Sequence, residues 1–403
     1  MNSQSRFARI RSKVATTAAN LATAASRATG RGAGGMIGGL VAGAIDPNIM
    51  ASLGGGRPVA IVTGTNGKST TTRMLAGAVR TSSSVATNDG GDNMDAGIIS
   101  ALLAGQDAET VVLEVDELHV PKVAERLQPS TFVLLNLSRD QLDRVGEINS
   151  IERALRTAVM AHPEAKVIAN CDDVLITSAA WDHPNVVWVS AGAGWLGDSV
   201  TNPRSGGHVV RSSLADNGGQ TDWYAVEPLP DGSEFRRPTP DYVVTDEGLS
   251  TPHGSVDLDL KLPGRANRGN AAQAIACAVE AFDVPLEAAA RATEEVDNVA
   301  GRYTTVHLGD HDVHLMLAKN PAGWQEALTM ADRDADGVVI AVNARQGDGE
   351  DVSWLWDVKF EDFGTTKVVA AGERGTDLAV RLTYARIEHD LIHDPIEAIR
   401  ACP

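Results

Sequence analysis

The chemically most pointed stretch of the chain is Val59-Ala-Ile-Val-Thr-Gly-Thr-Asn-Gly-Lys-Ser-Thr-Thr-Thr72. An apolar, β-branched run leads through two glycines into helix-forming sequence. Gly64 and Gly67 free the backbone to curl around a phosphate, and the amides of a helix N-terminus stabilise its charge. Gly64, Thr65, Asn66, Gly67, Lys68, Ser69 and Thr70 are therefore the candidate nucleotide-binding residues. Lys68 is placed to reach the β- and γ-phosphates, and the Ser69 or Thr70 hydroxyl to ligate Mg²⁺. The strict G-x-x-x-x-G-K-[ST] pattern is not met, because Val62 stands where the first Gly belongs. A metal–nucleotide site also needs a carboxylate. Glu114 ends the next apolar run, in Leu113-Glu-Val-Asp-Glu117, and the C-terminal ends of parallel strands are where ligands bind. Glu114 is the expected Mg²⁺ ligand together with Ser69, with Asp116 and Glu117 nearby.

Those residues need strands and helices to hold them. Strands are expected at Pro58–Val62, Thr110–Val115, Thr131–Leu137, Lys166–Ala169 and Val186–Val189, and helices at Thr70–Arg80, Pro121–Leu127 and Ile151–Met160. Alternation of this kind predicts a parallel α/β sheet. Residues 190–241 are rich in Gly, Pro, Asp and Ser and read as an inserted small β subdomain or long ordered loop. Tyr242–Leu262 alternates like strands, and Gly269–Phe282 is an Ala-rich helix. A second α/β pattern follows, with strands at Val313–Leu317, Val338–Val342 and Lys367–Ala371 and a boundary near Asn298. The expected division is a lead-in over 1–56, a central ATP-binding domain over 57–298 and a C-terminal α/β, Rossmann-like domain over 299–403.

Composition narrows the function classes. The 403 residues carry 35 Lys and Arg against 53 Asp and Glu, a net of −18. That argues against a general nucleic-acid binder. Cys171, Cys277 and Cys402 are odd in number and far apart, which excludes a disulfide framework. No apolar run is long enough for a transmembrane helix. The charge is also uneven. Residues 1–45 hold Arg6, Arg9, Arg11, Lys13, Arg27 and Arg31 and no acid, leaving 29 basic and 53 acidic residues, a net of −24, in the rest. Phe7, Ile10, Val14 and Leu21 fall at helical spacing, so an amphipathic helix packed on its own protein is expected. A membrane-surface role and a removed presequence are the alternatives.

The loop resembles the ATP loop of the Mur ligases and folylpolyglutamate synthases, and four further segments agree in order. Asn136-Leu-Ser-Arg-Asp-Gln-Leu-Asp143 resembles N-x-x-x-D-H-L-D, with Gln141 in place of the histidine. Gly264-Arg-Ala-Asn-Arg-Gly-Asn-Ala-Ala272 resembles the segment that meets adenine, so the likeness gives Asn267 that contact and leaves Asn270 open. Gly301-Arg302 resembles the opening of the C-terminal domain, and Lys319-Asn-Pro-Ala-Gly323 its H-N-P segment. Only residues 1–56 precede the loop, too few for a separate nucleotide-sugar domain of ordinary size. The segment Gly347-Asp-Gly-Glu-Asp-Val-Ser-Trp-Leu-Trp-Asp357, the lead-in through Asp46-Pro47 and Gly372-Glu-Arg-Gly-Thr-Asp-Leu-Ala379 resemble the MurT family of Mur ligase-like synthetase subunits.

That resemblance implies ATP-dependent amidation of the α-carboxyl of D-glutamate in the stem peptide of lipid II, through an acyl phosphate attacked by ammonia. It implies ATP and Mg²⁺ as cofactors, with Lys68 and Arg302 neutralising phosphate charge. It implies a separate GatD-like glutaminase partner whose centre is supported by Asp351 or Asp348, Asp351 being favoured. It implies a bacterial enzyme acting at the cytoplasmic face of the plasma membrane, with peripheral membrane contact by the N-terminus left open. Trp354 and Trp356 are either an interface anchor or alternate core residues of one strand face. Many relatives of this type carry a four-Cys zinc ribbon. Here Asn202 and Ser205 stand at two of the Cys positions, so a ribbon-like fold without zinc is expected. The competing readings are another Mur- or folylpolyglutamate synthase-type amino-acid ligase and a non-catalytic glutaminase scaffold.

Overall fold

A computed structural model describes residues 3–28, 36–88, 90–139, 147–192, 196–213, 221–297, 303–332, 335–344, 351–361 and 366–403. The chain forms two compact units. One comprises Met1–Leu137, Asn149–Ala193 and Ser199–Asp297, and the other Ser138–Ile148, Gly194–Asp198 and Asn298–Pro403.

The first unit is built on a nine-stranded sheet. Its strands are β1 (Val59–Thr63), β2 (Val85–Thr87), β3 (Thr110–Glu114), β4 (Thr131–Leu134), β5 (Lys166–Asn170), β6 (Val186–Ser190), β9 (Tyr242–Val244), β10 (Gly248–Thr251) and β11 (Gly254–Asp257). The spatial order is β11-β10-β9-β6-β5-β4-β1-β3-β2. β1 lies parallel between β3 and β4, with Val62 opposite Glu114 and Val133. β10 pairs antiparallel with both β9 and β11, closing one edge. Every residue of β1, β3 and β4 is buried, which explains their unbroken apolar runs: a parallel sheet needs both faces covered. The cover over the site comes from α4 (Lys68–Val79) and the Ala-rich α9 (Arg265–Phe282), which pack on each other. α4 starts two residues earlier than the periodicity predicted, because Lys68 enters the helix directly after the loop.

The lead-in is three helices: α1 (Ser3–Ala28), α2 (Ile37–Ile45) and α3 (Ile49–Gly54). α1 does pack on its own chain, but not by the expected face. Ala15 and Ala19 are fully buried, whereas Ile10, Val14 and Leu21 are exposed. Close packing selects the small residues: a Cβ on Gly38 of α2 would sit 2.4 Å from Thr23 Oγ1 and 3.4 Å from the Ala19 carbonyl oxygen. On its other side α2 meets α5 (Asp95–Ala104) through Gly39, whose amide donates to Ser100 Oγ at 2.9 Å.

The inserted stretch carries the antiparallel hairpin β7 (Val209–Ser213) and β8 (Thr221–Ala225). Its small core joins Trp223 and Phe235 to Val174, with Trp181 edge-on to Phe235. Arg237 Nε reaches Asp172 Oδ1 at 2.7 Å, fastening the insertion to the end of β5.

The second unit has a hairpin, β12 (Tyr303–Leu308) with β13 (His311–Met316), and a parallel sheet of β14 (Gly337–Ala341), β15 (Lys367–Ala371) and β16 (His389–Leu391). α11 (Pro321–Met330), α12 (Gly375–Tyr384) and α13 (Pro395–Arg400) accompany it. Trp354 and Trp356 are not alternate residues of a strand. They lie on a single 3₁₀ turn, Ser353–Trp356. Trp354 stacks on Trp324 at 5.5 Å, and the exposed Trp356 meets Tyr384 edge-on.

Candidate functional site

The loop between β1 and α4 is held in shape before any nucleotide is considered. Gly64 has φ +141° and Gly67 φ +85°, both in the region that favours glycine. A Cβ on Gly64 would meet the Asn136 amide nitrogen at 2.9 Å, and one on Gly67 would meet Asn270 Oδ1 at 2.4 Å. Asn136, just beyond β4, clamps the turn. Its carbonyl accepts from the Thr65 amide, its Oδ1 from the Asn66 amide, and its Nδ2 donates to the Asn66 carbonyl, each at 2.9 Å. The helix start at Lys68 thus points its first amides at the space over the loop, the arrangement that receives phosphate.

Lys68 is buried. Its ammonium donates to the Gly64 carbonyl at 2.6 Å and to Glu117 Oε2 at 3.1 Å. Glu117 therefore belongs to the site more closely than its sequence neighbourhood suggested. It supplies the negative charge that a γ-phosphate would supply to the same ammonium.

Glu114 ends β3 beside β1. Its backbone is fixed by Asn88, which accepts from the Glu114 amide and donates to the Glu114 carbonyl, both at 2.8 Å. Asn93 Nδ2 donates to Glu114 Oε1 at 2.9 Å, while Oε2 is buried with no hydrogen-bond partner. A buried carboxylate oxygen without a partner is costly unless a cation satisfies it. This fits a hard divalent cation such as Mg²⁺, which binds through one or two carboxylates plus phosphate oxygens and water. Ser69 lies on the first turn of α4, where a hydroxyl serves the same ion.

Asn270 touches the loop from the start of α9. Asn267, one turn earlier, is half-buried, donates to the Pro263 carbonyl at 2.6 Å and accepts from Asn270 Nδ2 at 3.4 Å. The structure thus brings Gly64 to Thr70, Glu114, Glu117, Asn136 and Asn270 together, with Asn267 in the next turn. Asp173 supports the group from below. Its Oδ2 accepts from the Leu137 amide at 3.0 Å and its Oδ1 caps α8 (Val174–Ala180), accepting from Leu175 and Ile176. Burial pushes its carboxyl up to about 6. Asn136 was quoted only as the first residue of a family-like segment and not as a loop clamp, and Asn88 and Asn93 were missed, because an asparagine in a loop carries no pattern of its own.

Arg302 and Asp348 fall outside the described residues. Asp351 is exposed and accepts from the Ser353 amide at 2.8 Å, which holds its carboxyl below the usual range. None of the three cysteines has the character of a nucleophile. Burial pushes the Cys171 thiol well up, with Asp172 adding to the shift, and burial raises Cys277 and Cys402 too. At the expected ribbon position, Asn202 is fully buried and its Nδ2 donates to Ser205 Oγ at 3.0 Å. Among the described residues, no group of three or more His, Cys, Asp or Glu is placed to hold a metal ion.

Comparison with known proteins bears on the family and the fold. The Mur ligase middle domain model matches residues 62–278, and the MurT ligase C-terminal model matches residues 317–401. The chain is 30% identical over 362 residues to a Streptococcus pneumoniae protein named lipid II isoglutaminyl synthase (glutamine-hydrolyzing) subunit MurT. That alignment covers 84% of this chain and 79% of the relative. A Staphylococcus aureus protein of the same name is 27% identical over 354 residues, covering 83% and 79%. Among solved structures, a pseudomurein peptide ligase type C from Methanothermus fervidus superposes with a TM-score of 0.63. At 16% identity, covering 86% of this chain and 70% of that one, it shows the shared fold alone.

Proposed function

The chain belongs to the MurT family of Mur ligase-type enzymes, and from that premise we propose that it is the synthetase subunit of a lipid II isoglutaminyl synthase, amidating the α-carboxyl of D-glutamate in the stem peptide. The observation that carries this reading is the MurT-type match over residues 317–401, because the central fold is common to many ligases. The reading divides the chain into a lead-in over 1–56, a central ATP-binding domain over 57–298 and a C-terminal domain over 299–403.

A carboxylate resists attack by ammonia, so it must first gain a leaving group. In the proposed reaction a substrate carboxylate oxygen attacks the γ-phosphorus of ATP, forming the acyl phosphate and releasing ADP. Ammonia then attacks the acyl carbon, inorganic phosphate leaves, and the nitrogen gives up a proton. The protein's part is to position both reactants and neutralise phosphate charge. The amides of residues 65–70 cradle the phosphates. Lys68 exchanges Glu117 for the γ-phosphate, Arg302 adds a second positive charge, and Asn267 meets the adenine. Glu114 and Ser69 would hold Mg²⁺, which would supply positive charge to offset that of the phosphates.

Ammonia has to come from elsewhere, since burial raises the thiols of all three cysteines and none is set up as a nucleophile. We assign that task to a GatD-like glutaminase subunit, with Asp351 or Asp348 supporting its centre. The reading places the enzyme at the cytoplasmic face of a bacterial plasma membrane, where lipid II is made. It includes no structural zinc, and metal analysis finding stoichiometric zinc in the purified chain would overturn that part.

The decisive experiment mixes the chain with ATP, Mg²⁺, lipid II and ammonium chloride. Phosphate release together with a carboxyl-to-amide mass shift in the stem peptide is the expected result. No ammonium-dependent phosphate release would defeat the reading. Release that depends instead on an added amino acid would favour an amino-acid ligase.

A further inference from the structure

The lead-in helices are not used by the reaction just proposed, yet they carry the most unbalanced charge in the chain. α1 and α2 bury only small residues between them: Ala15 and Ala19 on one side, Gly38 and Ala42 on the other. Their large apolar side chains face outward. Ile10, Val14 and Leu21 recur at helical spacing on α1, and Leu21 is 68% exposed. Met36, Ile37 and Leu40 are exposed at the start of α2, Leu40 to 59%. Folding therefore leaves these two helices with apolar side chains that nothing among the described residues covers.

Charge identifies the cover. Lys13 and Arg27 are exposed on α1, beside the apolar residues. Arg11 is half-exposed and meets an acid, Asp46, at 4.0 Å. Residues 1–45 hold six basic residues and no acid, against a net of −24 in the rest of the chain. A basic helix with an exposed apolar stripe gains both by seating its apolar side chains among acyl chains and by pairing with anionic headgroups. A second copy of the same face would set like charges against each other. No helix among the described residues is long and apolar enough to cross a membrane, so the contact is one of lying on the surface.

We propose that the outward face of α1 and the start of α2, formed by Ile10, Val14, Leu21, Ile37 and Leu40 with Lys13 and Arg27, docks the protein on an anionic phospholipid surface. The benefit to the enzyme rests on the reading above. A lipid-linked substrate is confined to that surface, and a docked enzyme meets it by diffusion in two dimensions.

The test is co-sedimentation of the full chain with vesicles, without ATP or lipid II. Phosphatidylcholine vesicles containing phosphatidylglycerol are compared with phosphatidylcholine alone. Binding about tenfold or more tighter to the anionic vesicles, weakening as salt is raised, is expected. Val14→Asp with Leu21→Asp should lower that binding about tenfold or more, with ATP affinity and thermal midpoint unchanged. Lys13→Glu with Arg27→Glu touches no apolar residue and should lower it in the same direction, so the proposal stays testable if the first pair misfolds. Equal binding to both vesicle types, no binding, or variants that bind like the parent would overturn it. So would a parent dimer in solution that Leu21→Asp converts to a monomer, since the face would then belong to a second copy. Amidation in detergent micelles reports the catalytic reading separately, so the two can fail independently.

Discussion

Lys68 and Asp351 sit in opposite surroundings. Around Lys68 the loop is already tied down: its ammonium spans the Gly64 carbonyl and Glu117, and Asn136 holds the loop by three hydrogen bonds. Around Asp351 the carboxylate is exposed and holds the Ser353 amide. The first region is preorganised, with Lys68 and Glu117 buried, which suits the neutralisation of charge that develops during phosphoryl transfer. The second is open, which suits a group whose partner arrives from outside. If the contrast is functional, damage to the first should abolish chemistry whatever the nitrogen source, and damage to the second should matter only when nitrogen comes from glutamine.

The largest effect is expected from Lys68→Ala. Phosphate release with ammonium should fall by about 10²–10³-fold, the loss usual for one preorganised donor to a developing charge. The variant should also lose about 3–5 kcal/mol of stability in denaturant titrations, because Glu117 is left buried and alone. Adding Glu117→Gln should restore most of that stability and none of the activity. A double variant as unstable as the single one would show that the pair is not what holds the loop.

Glu114→Gln separates charge from shape. The Asn93 hydrogen bond to Oε1 can persist, and Oε2 has no partner to lose. Stability should therefore hold, while the Mg²⁺ concentration needed for half-maximal phosphate release rises by at least about 10–100-fold, the range seen even for supporting groups at metal sites. An unchanged Mg²⁺ requirement would remove Glu114 from the metal site.

These residues also show how much of the site was legible. The loop, Lys68 and Glu114 could be read because their chemistry depends on residue type at fixed spacing along β1, α4 and β3. Asn88 and Asn93 could not, and the clamping role of Asn136 could not either, since they act through register between strands distant in sequence. The parallel strands announced themselves as unbroken β-branched runs. By contrast, α2 and α3 were hidden in Gly-rich sequence, where Gly38 and Gly39 serve close helix contacts rather than turns. The buried face of α1 was misread for the same reason: burial followed the size that α2 could accept, not hydrophobicity. The hairpin β12–β13 and the 3₁₀ turn at Trp354 were likewise set by pairing and packing that no local pattern declares.

Asp173 tests whether the rigid region is paid for in pH sensitivity. Its carboxyl is raised by burial from an ordinary 3.8 to about 6, so the folded state binds the proton more tightly than the unfolded chain. The linked stabilisation is present below about pH 4 and is lost as pH rises through 6. Relative to Asp173→Asn, the parent should lose up to about 3 kcal/mol between pH 4 and pH 7. Parallel stability curves would mean that the three amides already hold the carboxylate ionised.

Asp351→Asn bears most directly on the exposed region and should have the smallest effect on the chain itself. The Ser353 amide can still find a side-chain oxygen, so the 3₁₀ turn beneath Trp354 should persist. Ammonium-driven amidation should stay within about twofold of the parent, because the phosphate loop is untouched. Glutamine-driven amidation, assayed with the glutaminase subunit present, should fall about tenfold or more, the scale on which a misplaced supporting group acts at a catalytic centre. Equal loss with both nitrogen sources would place Asp351 in the synthetase reaction and erase the contrast between the regions. Equal retention with both would transfer the supporting role to Asp348 alone.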